Sequence, residues 1–149
     1  DYRPSFWKDE ASARSAAQRA IANCTIAIGN IAECGVALGI NDPHKAAQDL
    51  LDRGVALAIV KMGGDGVMLA NKDEIQVIKP MPIKLACGLG AGDAFGGALV
   101  HGLLSGWELD EIGKFANAAG AYLASELMCA DAMPTVDILN SFISAGGRR

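Results

Sequence analysis

The sequence predicts an α/β fold in which a mainly parallel sheet is flanked by helices. Short apolar runs rich in β-branched residues alternate with segments of helical spacing, which is typical of βαβ units. Of the 149 residues, 51% are hydrophobic and 20% are charged, which excludes a disordered chain and suits a buried core. No apolar run reaches the roughly 18 residues that span a bilayer. We therefore expect one α/β unit over residues 1–149.

Helices and strands alternate in the first half of the chain. Alanines at helical spacing predict the first helix, and Asn30 and the pair Asp42-Pro43 are typical N-terminal caps of the next two. The almost wholly apolar run that begins at Val55 is typical of a strand covered on both faces. In chain order, we predict a helix over 8–22, a strand over 25–29, helices over 31–38 and 43–52, and a strand over 55–61.

The second half begins with a predicted hairpin and ends with three helices. The polar turn Asn71–Glu74 separates two short apolar strands, which we expect at an edge of the sheet. A glycine-rich turn, Cys87–Asp93, then connects a short strand to an apolar helix. The elements predicted here are strands over 67–70, 75–78 and 83–85, followed by helices over 91–104, 109–127 and 136–144.

Charge and cysteine content narrow the classes of function. The 13 basic and 17 acidic side chains give a net charge of −4, which argues against nucleic acid or an anionic membrane as a partner. The cysteines form no CxxC pair and are typical of small core residues in a reducing cytoplasm. We therefore expect a cytoplasmic protein without a zinc site or a disulfide framework. The four cysteines are Cys24, Cys34, Cys87 and Cys129.

The strongest chemical signal is the run Gly88–Asp93 at a strand-to-helix junction. Small residues there leave backbone N–H groups accessible at a helix N-terminus, which favours anionic oxygens such as those of phosphate. The run is not a P-loop, since no Gly-Lys-Ser/Thr follows, and it is not a GxGxxG fingerprint, since Asp93 replaces the last glycine. An aspartate beside a bound phosphate suits general-base catalysis. Alternatively, Asp93 is an ordinary first-turn residue that interacts with the helix dipole.

Four motifs follow one another along the chain: Asn30-Ile-Ala-Glu33, Val60–Gly66, Gly90-Ala91-Gly92-Asp93 and Phe115–Gly120. In this order they resemble the motifs of the ribokinase-like (PfkB) carbohydrate kinases, and together they cover nearly the whole chain. The resemblance implies a Rossmann-type α/β fold of that family. It also implies an enzyme that uses ATP to phosphorylate a hydroxyl of a sugar or sugar acid.

The resemblance assigns catalytic roles to the glycine-rich turn. Asp93 would be the base that activates the sugar hydroxyl, and the N–H groups of Gly90, Ala91 and Gly92 would form an anion hole for the γ-phosphoryl group. The opening segment and Cys87-Gly88-Leu89 most resemble members of the family that phosphorylate a keto-deoxy sugar acid. In that comparison Arg3 would bind phosphate or carboxylate. Alternatively, Arg3 is a surface residue before a turn proline.

The resemblance also implies cofactor sites. Asn30 and Glu33 would hold Mg²⁺ through water, although the same pair could be a capping box that closes a helix N-terminus. The glycines after the second strand could equally form an ordinary turn, and the helical asparagine could be an exposed helix residue. The residues implied to border ATP are Lys61, Gly63, Gly66 and Asn117.

The resemblance begins near the midpoint of the family's sequences. Nothing in this chain corresponds to the N-terminal sugar-binding half and its β-sheet lid, so residues 1–149 are expected to be the nucleotide-binding and catalytic C-terminal part. We expect this part alone to have little sugar kinase activity, and to form a homo-oligomer through an open sheet edge. Cys87 and Gly88 stand where the family usually has Asp-Thr, which leaves activation by a monovalent cation open.

Two other functions remain open at this point. One is a non-catalytic module that binds an adenine nucleotide and serves assembly or regulation. The other is a fragment of a dinucleotide-dependent oxidoreductase, which the absence of a GxGxxG fingerprint disfavours.

Overall fold

The computed structural model describes residues 2–147, so Asp1 of the opening segment lies outside the described residues. The strands are β1 (Ile26–Asn30), β2 (Leu57–Lys61), β3 (Val67–Ala70) and β4 (Ile75–Ile78). Within residues 2–147 they form one sheet in the order β1-β2-β3-β4. β1 and β2 are parallel, whereas β2 and β3 are antiparallel. The carboxyl ends of β1 and β2 therefore meet at one edge of the sheet.

Four of the helices within residues 2–147 begin where a local side chain caps them. The Asp9 carboxylate accepts a hydrogen bond from the Ser12 N–H at 2.7 Å, and the Asp42 carboxylate accepts one from the Lys45 N–H at 2.8 Å. No helix within residues 2–147 is both long enough and apolar enough to cross a membrane. The helices are α1 (Glu10–Ile21), α2 (Ile31–Leu38), α3 (Pro43–Asp52), α4 (Ala91–Leu104), α5 (Leu109–Ala124) and α6 (Val136–Ser144). The four helices that a side chain caps are α1, α2, α3 and α6.

The chain divides into two compact units, Asp1–Val77 and Ile78–Arg149, a finer division than the single unit that the composition predicts. In the first unit, β2 and β3 are buried along their whole length apart from the last residue of β2. Ala46 and Leu50 of α3 and Cys34 of α2 pack into the same apolar cluster. This core fixes the position of the strand ends from which candidate site residues extend.

The second unit is organised around the pair α4 and α5. A Cβ on Gly102 of α4 would lie 2.9 Å from the Ile112 side chain, so the absence of a side chain allows close packing of the two helices. The rings of His101, Trp107 and Phe115 stack at this end of the pair, with the two T-shaped contacts at centroid distances of 5.2 and 5.1 Å. His101 is therefore part of an aromatic cluster.

The α/β class is confirmed, and the sheet is mixed rather than mainly parallel because β3 returns antiparallel beside β2. The predicted strand over 83–85 was wrong, since residues 79–90 contain no helix or strand. Pro80 and Pro82 lack the N–H groups that a sheet ladder requires, which disfavours pairing in this segment. The fifth helix ends at Ala124, earlier than the predicted 127, while the hairpin strands and α4 have the predicted bounds.

β1 lies at one edge of the sheet and carries exposed apolar side chains. Ile26 is 40% exposed and Ile28 is 42% exposed. An apolar cavity of about 530 Å³ lies beside this strand and is lined by residues of α1, β1 and α2, including Ala17 and Val36. The resemblance predicts such an open edge, and association of the chain through it stays a prediction.

Candidate active site

The carboxyl ends of β1 and β2 bring together the predicted residues of the first unit. Asn30 ends β1 and Lys61 ends β2, and the two are register partners across the parallel pair. The turn Gly63–Asp65 follows β2 directly. In open α/β sheets, ligands bind at the carboxyl ends of parallel strands. The strand register therefore places the motifs that begin at Asn30 and Val60 side by side.

Asn30 and Glu33 form a complete capping box at the start of α2. The Asn30 N–H donates to Glu33 Oε2 at 2.7 Å, and the Glu33 N–H donates to Asn30 Oδ1 at 2.9 Å. Glu33 Oε1 also accepts a hydrogen bond from the Tyr2 N–H at 3.3 Å. The capping alternative is thus present in the structure, and the Mg²⁺ role of the pair stays a prediction.

The oxygen atoms of this capping box fit the chemistry of Mg²⁺. Asn30 is exposed and Glu33 is half-buried, and carboxylate and amide oxygens retain acceptor capacity beyond one hydrogen bond. Mg²⁺ commonly keeps several waters and takes one or two carboxylates together with phosphate oxygens. Residues 2–147 contain no group of three or more His, Cys, Asp or Glu side chains that could hold a metal ion. Any Mg²⁺ held by this pair would therefore need water and phosphate oxygens as its other ligands.

The glycines after β2 have a conformational reason to be glycine. Gly63 has φ 60° and Gly66 has φ 95°, which L side chains rarely adopt. The Met62 N–H donates to the Gly66 carbonyl at 2.8 Å and closes the turn. A Cβ on Gly63 or Gly64 would have no neighbour within 4 Å, so the turn exposes its backbone. The turn explains the glycines, and contact of Lys61, Gly63 and Gly66 with ATP stays a prediction.

The glycine-rich turn of the second unit ends in an uncapped helix. Gly90 is the N-cap of α4, with φ 81°, and it offers no side-chain hydrogen bond. The Asp93 N–H donates to the Gly90 carbonyl at 2.9 Å, and the Ala91 N–H donates to the Gly88 carbonyl at 3.4 Å. Within residues 2–147, the N–H groups of Gly90 and Gly92 donate no hydrogen bond. These groups and the positive end of the helix dipole are therefore available to an anion.

Asp93 lies on the first turn of α4 and is exposed to solvent. Its carboxylate accepts no side-chain hydrogen bond among the described residues, so it does not cap its own helix. The side chain is accessible to a substrate beside the N–H groups of the turn. This is the arrangement that the catalytic interpretation requires, and it does not by itself distinguish a base from an acidic first-turn residue.

Asn117 makes a contact that the sequence did not indicate, whereas Arg3 lies at the surface before Pro4, as its structural alternative predicts. Asn117 is half-buried, and its Nδ2 donates to the Lys79 carbonyl at 2.9 Å, which ties α5 to the segment after β4. Arg3 is exposed and precedes the short 3-10 helix Pro4–Phe6. Contact of Asn117 with adenine and of Arg3 with phosphate or carboxylate stays a prediction.

One support of the turn was missed by sequence reasoning. The N–H groups of Ala86 and Cys87 both donate to the carbonyl of Ala124, at 2.9 and 3.1 Å. The end of α5 thereby holds the chain that enters the glycine-rich turn. The only sequence signal for it is the end of a helix, where carbonyl groups lack intrahelical partners.

Comparison with known proteins identifies the family of this chain. The sequence pattern of the pfkB family carbohydrate kinases matches residues 1–136. The chain belongs to this family. It is 30% identical over 148 residues to the 5-dehydro-2-deoxygluconokinase of Geobacillus thermodenitrificans, covering 96% of this chain and 44% of that protein. It is 35% identical over 101 residues to the 5-dehydro-2-deoxygluconokinase of Clostridium perfringens, covering 67% of this chain and 30% of that protein.

A solved kinase structure has the same fold. The aminoimidazole riboside kinase of Salmonella enterica, crystallised with aminoimidazole riboside and an ATP analogue, superposes with a TM-score of 0.85 at 27% identity. The match covers 97% of this chain and 50% of that kinase. The ribokinase-like fold and membership of the carbohydrate kinase family are thus confirmed. The chain spans 30% and 44% of the length of the two curated kinases compared above.

Proposed function

We propose that the full-length protein transfers the γ-phosphoryl group of ATP, in the presence of Mg²⁺, to a hydroxyl of a sugar acid. The observation that carries this proposal is the exposed Asp93 beside the N–H groups of Gly90 and Gly92, which have no hydrogen-bond partner among the described residues. A carboxylate opposes phosphate binding at a helix N-terminus, so its presence there favours a chemical role over simple anion binding. Membership of the carbohydrate kinase family supports the same conclusion.

The chain's own groups supply a base and an anion hole. Asp93 would take the proton of the acceptor hydroxyl, whose oxygen attacks the γ-phosphorus while the bond from phosphorus to the ADP oxygen breaks. The N–H groups of Gly90, Ala91 and Gly92 would donate to the γ-phosphoryl oxygens as charge develops on them. Since a helix N-terminus carries about half a positive charge, it would stabilise the same oxygens.

In this proposal the cofactors are held by residues from three of the four motifs, the last of which lies on the helix α5. Asn30 and Glu33 would hold Mg²⁺, which supplies charge neutralisation on the phosphates. Exposed backbone at the turn after β2 supports a nucleotide-binding role, because phosphate groups can approach glycine closely. The residues that would border ATP are Lys61, Gly63, Gly66 and Asn117.

The acceptor that the relatives favour is 5-dehydro-2-deoxygluconate. Two curated relatives at 30% and 35% identity are named 5-dehydro-2-deoxygluconokinases. The acid carries a carboxylate, which Arg3 could bind with two parallel hydrogen bonds. Such an activity would place the protein in inositol catabolism. The four cysteines within residues 2–147 are free thiols, which supports a cytoplasmic location.

Replacement of Asp93 tests the proposed function in the full-length protein. We expect Asp93→Asn to lower ATP-dependent phosphorylation of 5-dehydro-2-deoxygluconate by about 10²–10⁴-fold, the usual contribution of a positioned base. Affinity for ATP should stay the same or improve, because a negative charge beside the phosphates is removed. ADP release measures the first quantity, and calorimetric titration with ATP measures the second.

A matched control separates catalysis from the helix-dipole effect. Asp137 is an exposed acidic residue in the first turn of α6, so Asp137→Asn removes an equivalent dipole interaction. We expect this variant to retain wild-type phosphorylation. If Asp93→Asn also retains it, the base assignment is wrong. If the wild-type protein binds ATP and phosphorylates neither a sugar nor a sugar acid, the non-catalytic nucleotide-binding function is favoured instead.

A further inference from the structure

The turn that carries the proposed anion hole is supported on both flanks by α5. On the entering side, the Ala124 carbonyl accepts hydrogen bonds from two successive N–H groups, those of Ala86 and Cys87. On the helical side, a Cβ on Gly120 would lie 3.1 Å from the Ala91 carbonyl oxygen, so the two backbones are already close. The turn therefore has little freedom to move toward or along α5.

Cys129 lies against the turn itself. A Cβ built on Gly90 would overlap the Sγ of Cys129 and would lie 3.0 Å from Cδ2 of Leu123. Gly90 therefore packs directly on this thiol. Cys129 is half-buried and forms no disulfide. Because the thiol contacts the N-cap residue of α4, the size of side chain 129 determines how closely the turn can approach the end of α5.

We propose that Cys129 is a positioning residue for phosphoryl transfer, whose thiol sets the position of the turn Gly90–Gly92 and its N–H groups. The inference rests on the proposed function. Anion-hole donors act only when they lie within hydrogen-bond distance of the oxygens that gain charge. A misplacement of about 1 Å can lower the rate about 10²-fold. Since Ala124 and Gly120 hold the flanks, a change at residue 129 is transmitted to these donors.

A series of Cys129 variants in the full-length protein tests this role. Cys129→Leu adds volume beneath Gly90, Cys129→Ala removes volume, and Cys129→Ser keeps the size of the side chain. We expect kcat for 5-dehydro-2-deoxygluconate to fall at least about 10-fold in Cys129→Leu and by a smaller factor in Cys129→Ala. KM for ATP should change less than about 3-fold, because binding in the ground state is largely retained. Cys129→Ser should restore kcat to near the wild-type value.

A control and a second variant keep the experiment decisive. Cys24→Leu alters an exposed cysteine of the first unit and should keep wild-type kcat. If Cys129→Leu does not fold, as judged by circular dichroism, the smaller Cys129→Val takes its place, with the same expected fall in kcat.

Three results would overturn the positioning role: an unchanged kcat in the enlarged variant, an equal loss in Cys24→Leu, or a loss that only follows the folded fraction. If the wild type is active and kcat is unchanged throughout the Cys129 series, the positioning role is rejected and the proposed function stands. A wild type that phosphorylates no sugar acid rejects the proposed function, and the positioning role with it.

Discussion

The helices α2 and α4 begin at the two candidate sites, and they begin in opposite ways. At α2, Asn30 and Glu33 exchange hydrogen bonds of 2.7 and 2.9 Å, so the two side chains occupy the N–H groups of these two residues. At α4, the N-cap residue is Gly90, which has no side chain that could accept a hydrogen bond. The Asp93 carboxylate in the first turn does not cap the helix either. We call the start of α2, which has a capping box, the closed end, and the start of α4, which no side chain caps, the open end.

This difference affects how directly phosphate can bind the N–H group of each N-cap residue. Donors that already bond a carboxylate or amide must exchange that partner for the ligand, whereas the N–H groups of Gly90 and Gly92 have no such partner within the described part of the chain. The closed end instead presents oxygen atoms, which suit a cation. A helix with a capping box and a helix with a glycine cap thus favour opposite charges.

Among the substitutions at the two helix starts, Gly90→Ala is expected to lower the free energy of unfolding most. A left-handed backbone costs an alanine about 1–2 kcal/mol, and overlap of its Cβ with Cys129 adds about 1–3 kcal/mol of strain. The free energy of unfolding, measured by urea titration, should fall by these amounts. Phosphorylation should fall as well, because the open donors are displaced.

Gly96→Ala is the matched control within the same helix. A Cβ at Gly96 would have no neighbour within 4 Å, so the substitution should raise the free energy of unfolding by about 0.5–1 kcal/mol through the lower entropy of the unfolded chain. Equal destabilisation by the two alanines would contradict the packing of Gly90 on Cys129.

A smaller effect is expected at the closed end. Asn30→Ala removes the acceptor for the Glu33 N–H and should lower the free energy of unfolding by about 1 kcal/mol, whereas Asn30→Asp keeps an acceptor and should preserve it. Urea titration of both variants measures the difference. An unchanged stability in Asn30→Ala would show that the capping box contributes nothing. If only Asn30→Asp retains Mg²⁺-dependent phosphorylation, the metal role of this position is supported.

The smallest expected effect is a pH dependence of the free energy of unfolding that arises from Cys34, the residue after Glu33. Burial, and secondly the Glu33 charge, raise the pKa of this thiol above its ordinary value of 9.0. As the pH rises through 9.0, the unfolded thiol loses its proton while the native thiol keeps it, so the free energy of unfolding falls. Below 9.0 both states are protonated and the thiol has no effect. Urea titrations on either side of pH 9.0 should show a steeper fall for wild type than for Cys34→Ala; parallel slopes would exclude the effect.

Local signals in the sequence predicted the helix boundaries well. Asn30, the pair Asp42-Pro43 and Gly90 each mark a helix start by chemistry that depends only on neighbouring residues, and the structure confirms all three. The apolar run 83–85 was misassigned because a strand needs a pairing partner, which no local pattern reveals. The direction of β3 likewise depends on pairing in three dimensions.

Only part of the candidate site could be predicted from the sequence. Motif order indicated the turn at Gly90 and the pair Asn30 and Glu33, since each motif is contiguous. The contacts of Cys129 with Gly90 and of Ala124 with Cys87 join residues that are distant in the chain, so composition and spacing gave no signal for them. Packing behind a functional turn is a tertiary property.

The close approach of α4 and α5 at both ends has a consequence for motion. At one end the Ile112 side chain packs against Gly102, and at the other the Ala91 carbonyl packs against Gly120. Because these contacts leave no room for a side chain, neither helix can slide along the other without a steric clash. A displacement of α4 along its own axis must therefore carry α5 with it. The two helices would then move as one body, with the close backbone contacts at Gly102 and Gly120 preserved.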